Sequence, residues 1–217
     1  MKPQYGAAGA LPAGYVRIPT GTLLWRGHTP GWNAAYFGPA VGAVAVNRFD
    51  IHQRLPTDPG TCYLARSLDG VLLERVLRGA VLPVLSERRL RTAHAVCRAF
   101  VATDLVLVDL VRALSTVYAL QLSAIVAPPV AGAPPYPPTS HLAHTFAQGV
   151  GLPPLGQAAP RVDGIFYASR WGPAALCIAL WDRAASSITW GPSGPLDRQH
   201  VPQLASAANR LGIGLIP

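Results

Sequence analysis

The sequence predicts a single α+β domain in which helices flank a small twisted β-sheet. Short runs rich in β-forming, apolar residues alternate along the chain with amphipathic segments that carry helix-capping residues. The length of 217 residues suits one domain, and 50% hydrophobic with 13% charged residues is the composition of a folded chain. These observations together favour a mixed α+β domain built around that sheet.

Six runs predict strands because they are short, apolar and rich in residues that favour extended backbone. In chain order they span residues 43–47, 61–65, 104–110, 164–169, 175–181 and 187–190.

Three segments predict helices, and residues 112–124 are a fourth candidate. Over 67–79, apolar side chains recur at helical spacing before Gly79. A Thr139 or Ser140 cap begins a helix over 139–151, and a segment over 197–212 begins at an aspartate and ends at a glycine.

Two stretches are predicted to lack regular structure. Residues 127–138 are rich in proline, which fixes φ and removes hydrogen-bond donors, so we expect a long surface loop there. Residues 1–18 have no compact apolar segment and predict a flexible N-terminal arm rather than a signal peptide. No apolar run reaches the roughly 18 residues that span a bilayer, so we expect a cytoplasmic protein that does not contact membrane.

The charge of the chain limits its partners. The formal net charge is +8, and Lys2 is the one lysine among 18 basic lysine and arginine residues. Arginine suits phosphates and carboxylates, so nucleic acid, a phosphorylated small molecule and an acidic protein all fit. The cluster over 88–98 is interpreted as a solvated helix face, because no aromatic residues interleave with it as in a nucleic-acid-binding stripe.

Cysteine and histidine do not predict a metal centre. Cys62, Cys97 and Cys177 are odd in number and far apart, which favours buried small side chains over disulfides or a zinc site. His141 and His144 share a helix face without a nearby carboxylate or third histidine, and surface histidines are the favoured interpretation. The sequence also lacks the phosphate-binding and serine-hydrolase motifs.

A smaller set of polar residues lies at the ends of predicted strands or inside an apolar helix. Arg26 follows an apolar run in LLWRGH, and Arg48 ends a predicted strand in NRFD. Glu74 lies among leucines and valines, where a carboxylate needs a partner; a solvated glutamate paired with Arg78 at (i, i+4) is the simpler alternative. The segment DGIFYASR carries Tyr167 and Ser169 at the end of an apolar strand.

This ordered set resembles the RES-domain family, named for its arginine, glutamate and serine. The resemblance runs from about residue 20 to the C-terminus, through LLWRG, NRFD, CYLARSLDGVLLERVL and DGIFYASR, and it predicts a RES domain over 19–217. By resemblance, Arg26, Glu74 and Ser169 are the catalytic residues. Arg48, Tyr63 and Tyr167 then join Arg26 and Ser169 around the substrate pocket.

The resemblance implies a fold similar to ADP-ribosyltransferases and a bacterial toxin that attacks NAD⁺. The nicotinamide–ribose bond is cleaved by water or phosphate, or ADP-ribose is transferred to a protein. No cofactor or metal is required, NAD⁺ being the substrate and phosphate a possible co-substrate. The chemistry suits the residues: a carboxylate such as Glu74 stabilises an oxocarbenium-like ribose, an arginine binds pyrophosphate, and a tyrosine such as Tyr63 stacks on nicotinamide.

The resemblance also implies a partner. Relatives are encoded beside an Xre-like antitoxin that blocks the active site, so a hetero-oligomer is expected, with DNA contacted only through the antitoxin. Two alternatives stay open from the sequence. One is a protein ADP-ribosyltransferase that uses the same NAD⁺ pocket, and the other is a non-catalytic basic module that binds nucleic acid.

Overall fold

The computed structural model describes residues 11–45, 47–77, 84–112, 137–150, 152 and 162–217. An eight-stranded mixed sheet organises these residues, in the order β1-β6-β7-β8-β3-β2-β5-β9, and a short parallel pair, β4 and β10, lies apart from it. The strands are β1 (Tyr15–Ile18), β2 (Leu23–His28), β3 (Thr61–Ala65), β4 (Val84–Ser86), β5 (Ala95–Val101), β6 (Leu105–Asp109), β7 (Gly164–Ser169), β8 (Gly172–Trp181), β9 (Ile188–Pro195) and β10 (Gly214–Ile216). Within the large sheet only β6 and β7 run parallel, among the strands described.

The helices are short. They are α1 (Leu68–Val71), which continues into a π-helical turn (Leu72–Leu77), then α2 (Glu87–Ala93), α3 (Pro137–Ala147), a 3₁₀ helix (Asp182–Ser187) and α4 (Leu204–Arg210). Within the described ranges, none of these helices combines the length and apolarity needed to cross a membrane.

Alternate residues of the central strands pack into two separate clusters. On β8, Cys177 and Ala179 join the cluster that α1, α3 and α4 cover, whereas Ile178 and Leu180 join the other. The second cluster is built from residues of β1 to β3 and β5 to β9 together with Ala184 of the 3₁₀ helix. The sheet therefore curls around the second cluster, while the helices cover the opposite face of the sheet. This confirms the predicted α+β class with a central sheet.

Several predicted elements are confirmed. The strand over 164–169 matches β7, that over 61–65 matches β3, and those over 104–110, 175–181 and 187–190 overlap β6, β8 and β9. The helix over 67–79 is present as α1 and its π-helical continuation, and that over 139–151 overlaps α3. The predicted helix over 112–124 lies almost entirely outside the described residues, as do most of the proline-rich loop and Arg78.

The predicted strand over 43–47 is wrong for residues 43–45 and 47, which the structure describes outside any strand. Its backbone is used in turns: the amide of Gly42 donates to the carbonyl of Arg54 and that of Ala43 donates to Ala40. The run contains alanines and β-branched valines, which are common in strands, but its described residues do not pair with a neighbouring strand.

Strands β1, β2 and β5 of the large sheet were not predicted, and neither were the short strands β4 and β10. Tyr15–Ile18, within the expected N-terminal arm, pair with β6 at the edge of the sheet, so the sheet begins before residue 19. Arg88, Arg89 and Arg91 are exposed on α2 as expected. The helix ends at Ala93, however, and β5 follows as an interior strand between β2 and β9, so the predicted helix face does not extend to residue 98.

Two helix boundaries also differ from the prediction. Within 197–212 the helix is limited to Leu204–Arg210, because Asp197 accepts from the amide of His200 and closes a turn before it. Pro137 and Pro138, expected in a loop, open α3. The first helical positions need no amide donor, which makes proline compatible with them.

The approach of β7 to β8 leaves no space for a side chain at Gly164. A Cβ there would lie 2.2 Å from the carbonyl oxygen of Ala179, a backbone atom that cannot move aside cheaply. We expect Gly164→Ala to lower the free energy of unfolding by about 2 kcal/mol or more, measured by urea denaturation. The matched control is Gly194→Ala, whose Cβ would meet no atom closer than 3.7 Å. Equal stability of the two variants would contradict this account of the sheet.

Candidate active site

A cleft opens where β2 and β3 separate. These two strands register at the pair Trp25–Ala65, whereas β2 and β5 register continuously from Leu23 to His28. Beyond Trp25 the two strands part, and the cleft occupies the gap. From β2 and β3 it is lined by Trp25, Arg26, Gly27, His28, Thr61, Tyr63, Leu64 and Ala65, and from β7 and β8 by Tyr167 and Cys177. Side chains from the 29–50 segment, from the α1 region and from the β7–β8 turn complete its wall.

Arg26 spans this gap. Its Nη2 donates to the carbonyl of Tyr36 at 2.7 Å, and its Nη1 contacts the sulfur of Cys62 on β3. The side chain is 8% exposed, and its Nε has no hydrogen-bond partner among the residues described. Burial lowers the pKa of Arg26 to about 10, so the guanidinium is still positively charged at neutral pH. The cleft therefore contains a buried cation with donor capacity to spare.

Glu74 enters the cleft from the π-helical turn that follows α1. Turns of this kind are rare and occur frequently at functional sites, because the wider turn changes which side chains face inward. Gly27 lets α1 and this turn lie directly against β2, since a Cβ at Gly27 would lie 2.7 Å from Val71 Cγ1 and 3.2 Å from Arg75 Cγ. The neighbouring Arg75 also faces the cleft and donates to the hydroxyl of Thr29 at 2.6 Å.

Arg48, which also lines the cleft, is held by two aromatic rings. Its guanidinium carbon lies 5.0 Å from the ring centre of Phe49 and 4.7 Å from that of Tyr167. Nη2 donates to the carbonyl of Ala168 at 3.1 Å, and neither Nη1 nor Nε has a hydrogen-bond partner within the described part of the chain. Two rings and one carbonyl fix the orientation of this charge, which leaves its remaining donors for another group.

Tyr63 contributes its ring rather than its hydroxyl. The hydroxyl donates to Asp50 at 3.0 Å and accepts from the amide of Phe49 at 2.8 Å. Burial first, and then the negative charge of Asp50, raise the pKa of Tyr63 well above its ordinary value. Asp50 is itself engaged at its second oxygen by the backbone and side-chain nitrogens of Asn47. This network fixes the ring of Tyr63 at the cleft and commits the Asp50 carboxylate to structure.

The structure does not bring Ser169 to the cleft wall. Ser169 is 2% exposed, and its hydroxyl accepts from the amide of Trp171, which closes the turn between β7 and β8. Arg170 and Trp171, the next two residues, line the cleft instead, with the guanidinium carbon of Arg170 4.0 Å from the Trp171 ring centre. Of the predicted set, Arg26, Arg48, Tyr63, Glu74 and Tyr167 line the cleft, while Ser169 supports the turn beside it.

The sequence prediction missed several residues of the cleft wall, among them His28, Arg75, Trp32 and Tyr36. His28 lies two residues after Arg26 on the same strand face, a period of two that would have identified it had β2 been recognised. Arg75 had no sequence signal apart from its neighbour Glu74. Trp32 and Tyr36, whose rings meet edge to face at 5.4 Å, lie in a glycine- and proline-containing segment without periodicity.

The other sequence expectations concern residues outside the cleft. All three cysteines are buried and unbridged, as predicted. The ring of His144 lies 3.2 Å from the carboxylate of Asp58, which ties α3 to the segment before β3. Across the described ranges, no group of three or more histidine, cysteine, aspartate or glutamate side chains is arranged to bind a metal ion.

Comparison with known proteins places this geometry in context. The family model described as the RES domain matches residues 23–199, which is most of the chain. A solved chain described as "Crystal structure of the M.tuberculosis MbcT-MbcA toxin-antitoxin complex" superposes with a TM-score of 0.53 at 18% identity. The match covers 88% of this chain and 92% of the other. No curated protein sequence matches the chain.

Proposed function

This chain belongs to the RES-domain family, and we propose that it is a toxin that depletes NAD⁺. In this proposal it cleaves the bond between nicotinamide and ribose, with water or phosphate as the acceptor. The observation that carries the proposal is the meeting of four arginines, a glutamate and several aromatic rings in a single cleft. The arginines are Arg26, Arg48, Arg75 and Arg170, and the acid is Glu74.

The arginines suit the pyrophosphate of a dinucleotide. Guanidinium groups bind phosphate oxygens through charge-assisted hydrogen bonds, which are about twice as strong as neutral ones. Arg26 and Arg48 are 8% and 6% exposed, so their charges lie in surroundings that screen them less than bulk water does. We assign these two residues to the pyrophosphate.

Glu74 is the residue we assign to the reacting ribose. Asp50, the other carboxylate of the cleft wall, is engaged by Tyr63 and Asn47. As the nicotinamide–ribose bond breaks, positive charge develops on the ribose, and a nearby carboxylate lowers the free energy of that state. Nicotinamide leaves as a neutral molecule, so the reaction needs no strong general acid. The ring of Tyr63 is fixed for stacking on nicotinamide.

The proposed partner is an acidic antitoxin of the Xre-like class. Support comes from the toxin–antitoxin complex in which the structural relative was solved, and from the net charge of +8 on this chain. A cleft that suits pyrophosphate also suits the carboxylate groups of an inhibitory segment.

Protein ADP-ribosylation through the same pocket is the alternative outcome of the same bond cleavage. A basic module that binds nucleic acid is less favoured, because four arginines of this chain line a concave cleft rather than an exposed surface.

The enzymatic proposal is tested by nicotinamide release from NAD⁺. We expect Glu74→Gln to reduce release by about 100-fold or more, because the substitution removes the charge opposite the developing cation. The matched control is Glu87→Gln, the other glutamate of the chain, which pairs with Arg198 outside the cleft and should release nicotinamide at the wild-type rate. Product masses with and without phosphate identify the acceptor.

Two results would contradict the enzymatic proposal. One is undiminished release by Glu74→Gln. The other is the absence of release by folded, antitoxin-free protein, even after cell extract is added as a source of acceptors.

The partner proposal is tested by size-exclusion chromatography. We expect the chain and the protein encoded beside it to co-elute at micromolar concentration after co-expression. We also expect the association rate to fall as salt is raised, because the chain carries a large net charge. Each protein run alone is the control. Separate elution of the two proteins would refute the proposed complex.

A further inference from the structure

A histidine and a serine form a hydrogen-bonded pair beside the cleft. His28 is the last residue of β2, is 6% exposed and lines the cleft. Ser193 is exposed on β9, the edge strand of the large sheet. The Nε2 atom of His28 and the hydroxyl of Ser193 are 2.5 Å apart, while Nδ1 lies 3.0 Å from the carbonyl of Thr29.

The hydrogen bonds of His28 determine which of its ring nitrogens carries the hydrogen. A carbonyl oxygen can only accept, so Nδ1 carries the hydrogen and donates to Thr29. In a neutral ring, Nε2 is then an acceptor and the Ser193 hydroxyl is the donor. Burial lowers the pKa of His28, and the charges of Arg26 and Arg75 lower it further, so the ring stays neutral at pH 7. This is the arrangement of a base that is oriented by a third group and hydrogen-bonded to a nucleophile.

The sheet register places this pair next to the proposed pyrophosphate site. Arg26 is paired with Cys97, and Cys97 is paired with Ser193, so the three lie in one row across β2, β5 and β9. Directly paired residues share a face of the sheet, about 5 Å apart. The guanidinium of Arg26 lies 5.7 Å from the ring centre of Trp190, also on β9. A second cavity, lined by Trp32, Arg91 and Ser193 among others, shares His28 and Trp32 with the cleft.

From this geometry we propose that Ser193 is an acceptor for ADP-ribose, so that the chain modifies itself. The inference rests on the proposed cleavage of NAD⁺ and names an acceptor for it. The bond between nicotinamide and C1′ of the ribose breaks, and its electron pair leaves with neutral nicotinamide. The Ser193 oxygen bonds to C1′, and its proton passes to Nε2 of His28. The products are nicotinamide and an O-linked ADP-ribosyl serine.

The pair also has a purely structural interpretation, in which the hydrogen bond fastens the edge strand β9 to the end of β2. A structural bond predicts no covalent change at Ser193 when NAD⁺ is consumed. A nucleophile predicts an added ADP-ribosyl group on that residue. The chemical state of Ser193 after turnover therefore distinguishes the two.

The test uses the full wild-type chain, incubated with NAD⁺ and divided for two measurements. Nicotinamide release is followed in one portion, and ADP-ribosylated peptides are mapped by mass spectrometry with electron-based fragmentation in the other. We expect the modification on Ser193. We expect His28→Ala to lower the yield of modified Ser193 per nicotinamide released by about 100-fold, the usual contribution of a general base. Ser206→Ala changes an exposed serine on α4 and serves as the control. It should leave the yield of modified Ser193 per nicotinamide released unchanged.

The two measurements separate the two proposals. Nicotinamide release without modification of Ser193, or with modification elsewhere, overturns this inference and leaves NAD⁺ cleavage standing. Modification of Ser193 at an undiminished yield in His28→Ala overturns the role of the histidine. The absence of nicotinamide release overturns both proposals together.

Discussion

The parting of β2 from β3 is the constraint on which the site depends. Strands in a sheet normally satisfy their backbone groups along a shared edge, yet here the described pairing is limited to Trp25 and Ala65. Other groups fill the gap: Gly38 exchanges two backbone hydrogen bonds with Thr61, and Arg26 reaches across to the carbonyl of Tyr36. The separation creates a concave wall in the middle of a rigid sheet. The side chains that line it are thereby held by strands rather than by loops alone.

Much of the cleft is polar, and its polar groups divide into those that hold the site and those that face a ligand. Asp50, Asn47 and the hydroxyl of Tyr63 bond to one another and fix the wall. Arg48 is oriented by Phe49 and Tyr167 but retains donors that no described residue engages. Such a preorganised positive charge binds an anion without a further cost of ordering the side chain. This division is the physical basis for assigning the cleft to a dinucleotide.

The sequence predicted the elements whose side chains repeat with a clear period, and it missed those whose role depends on distant partners. β7 was predicted to the residue, because an apolar run ends in a turn. β2 was not, since an arginine, a glycine and a histidine interrupt its apolar pattern; only the gap beside β3 explains them. The same limit applies at DGIFYASR. The sequence predicted that Ser169 faces the site, but Arg170 lines the cleft instead, because the hydroxyl of Ser169 accepts from the amide of Trp171 within the β7–β8 turn.

The central claim is that the arginines of the cleft bind the pyrophosphate of NAD⁺. Calorimetric titration of NAD⁺ into Glu74→Gln, which keeps the substrate intact, tests this most directly. Adding Arg48→Lys removes a planar, oriented donor, and adding Arg66→Lys provides a control at an exposed arginine outside the cleft. The account predicts that Arg48→Lys weakens binding by about tenfold or more, the value of one charge-assisted hydrogen bond, while Arg66→Lys leaves it unchanged. Equal NAD⁺ affinity in both double variants would contradict it.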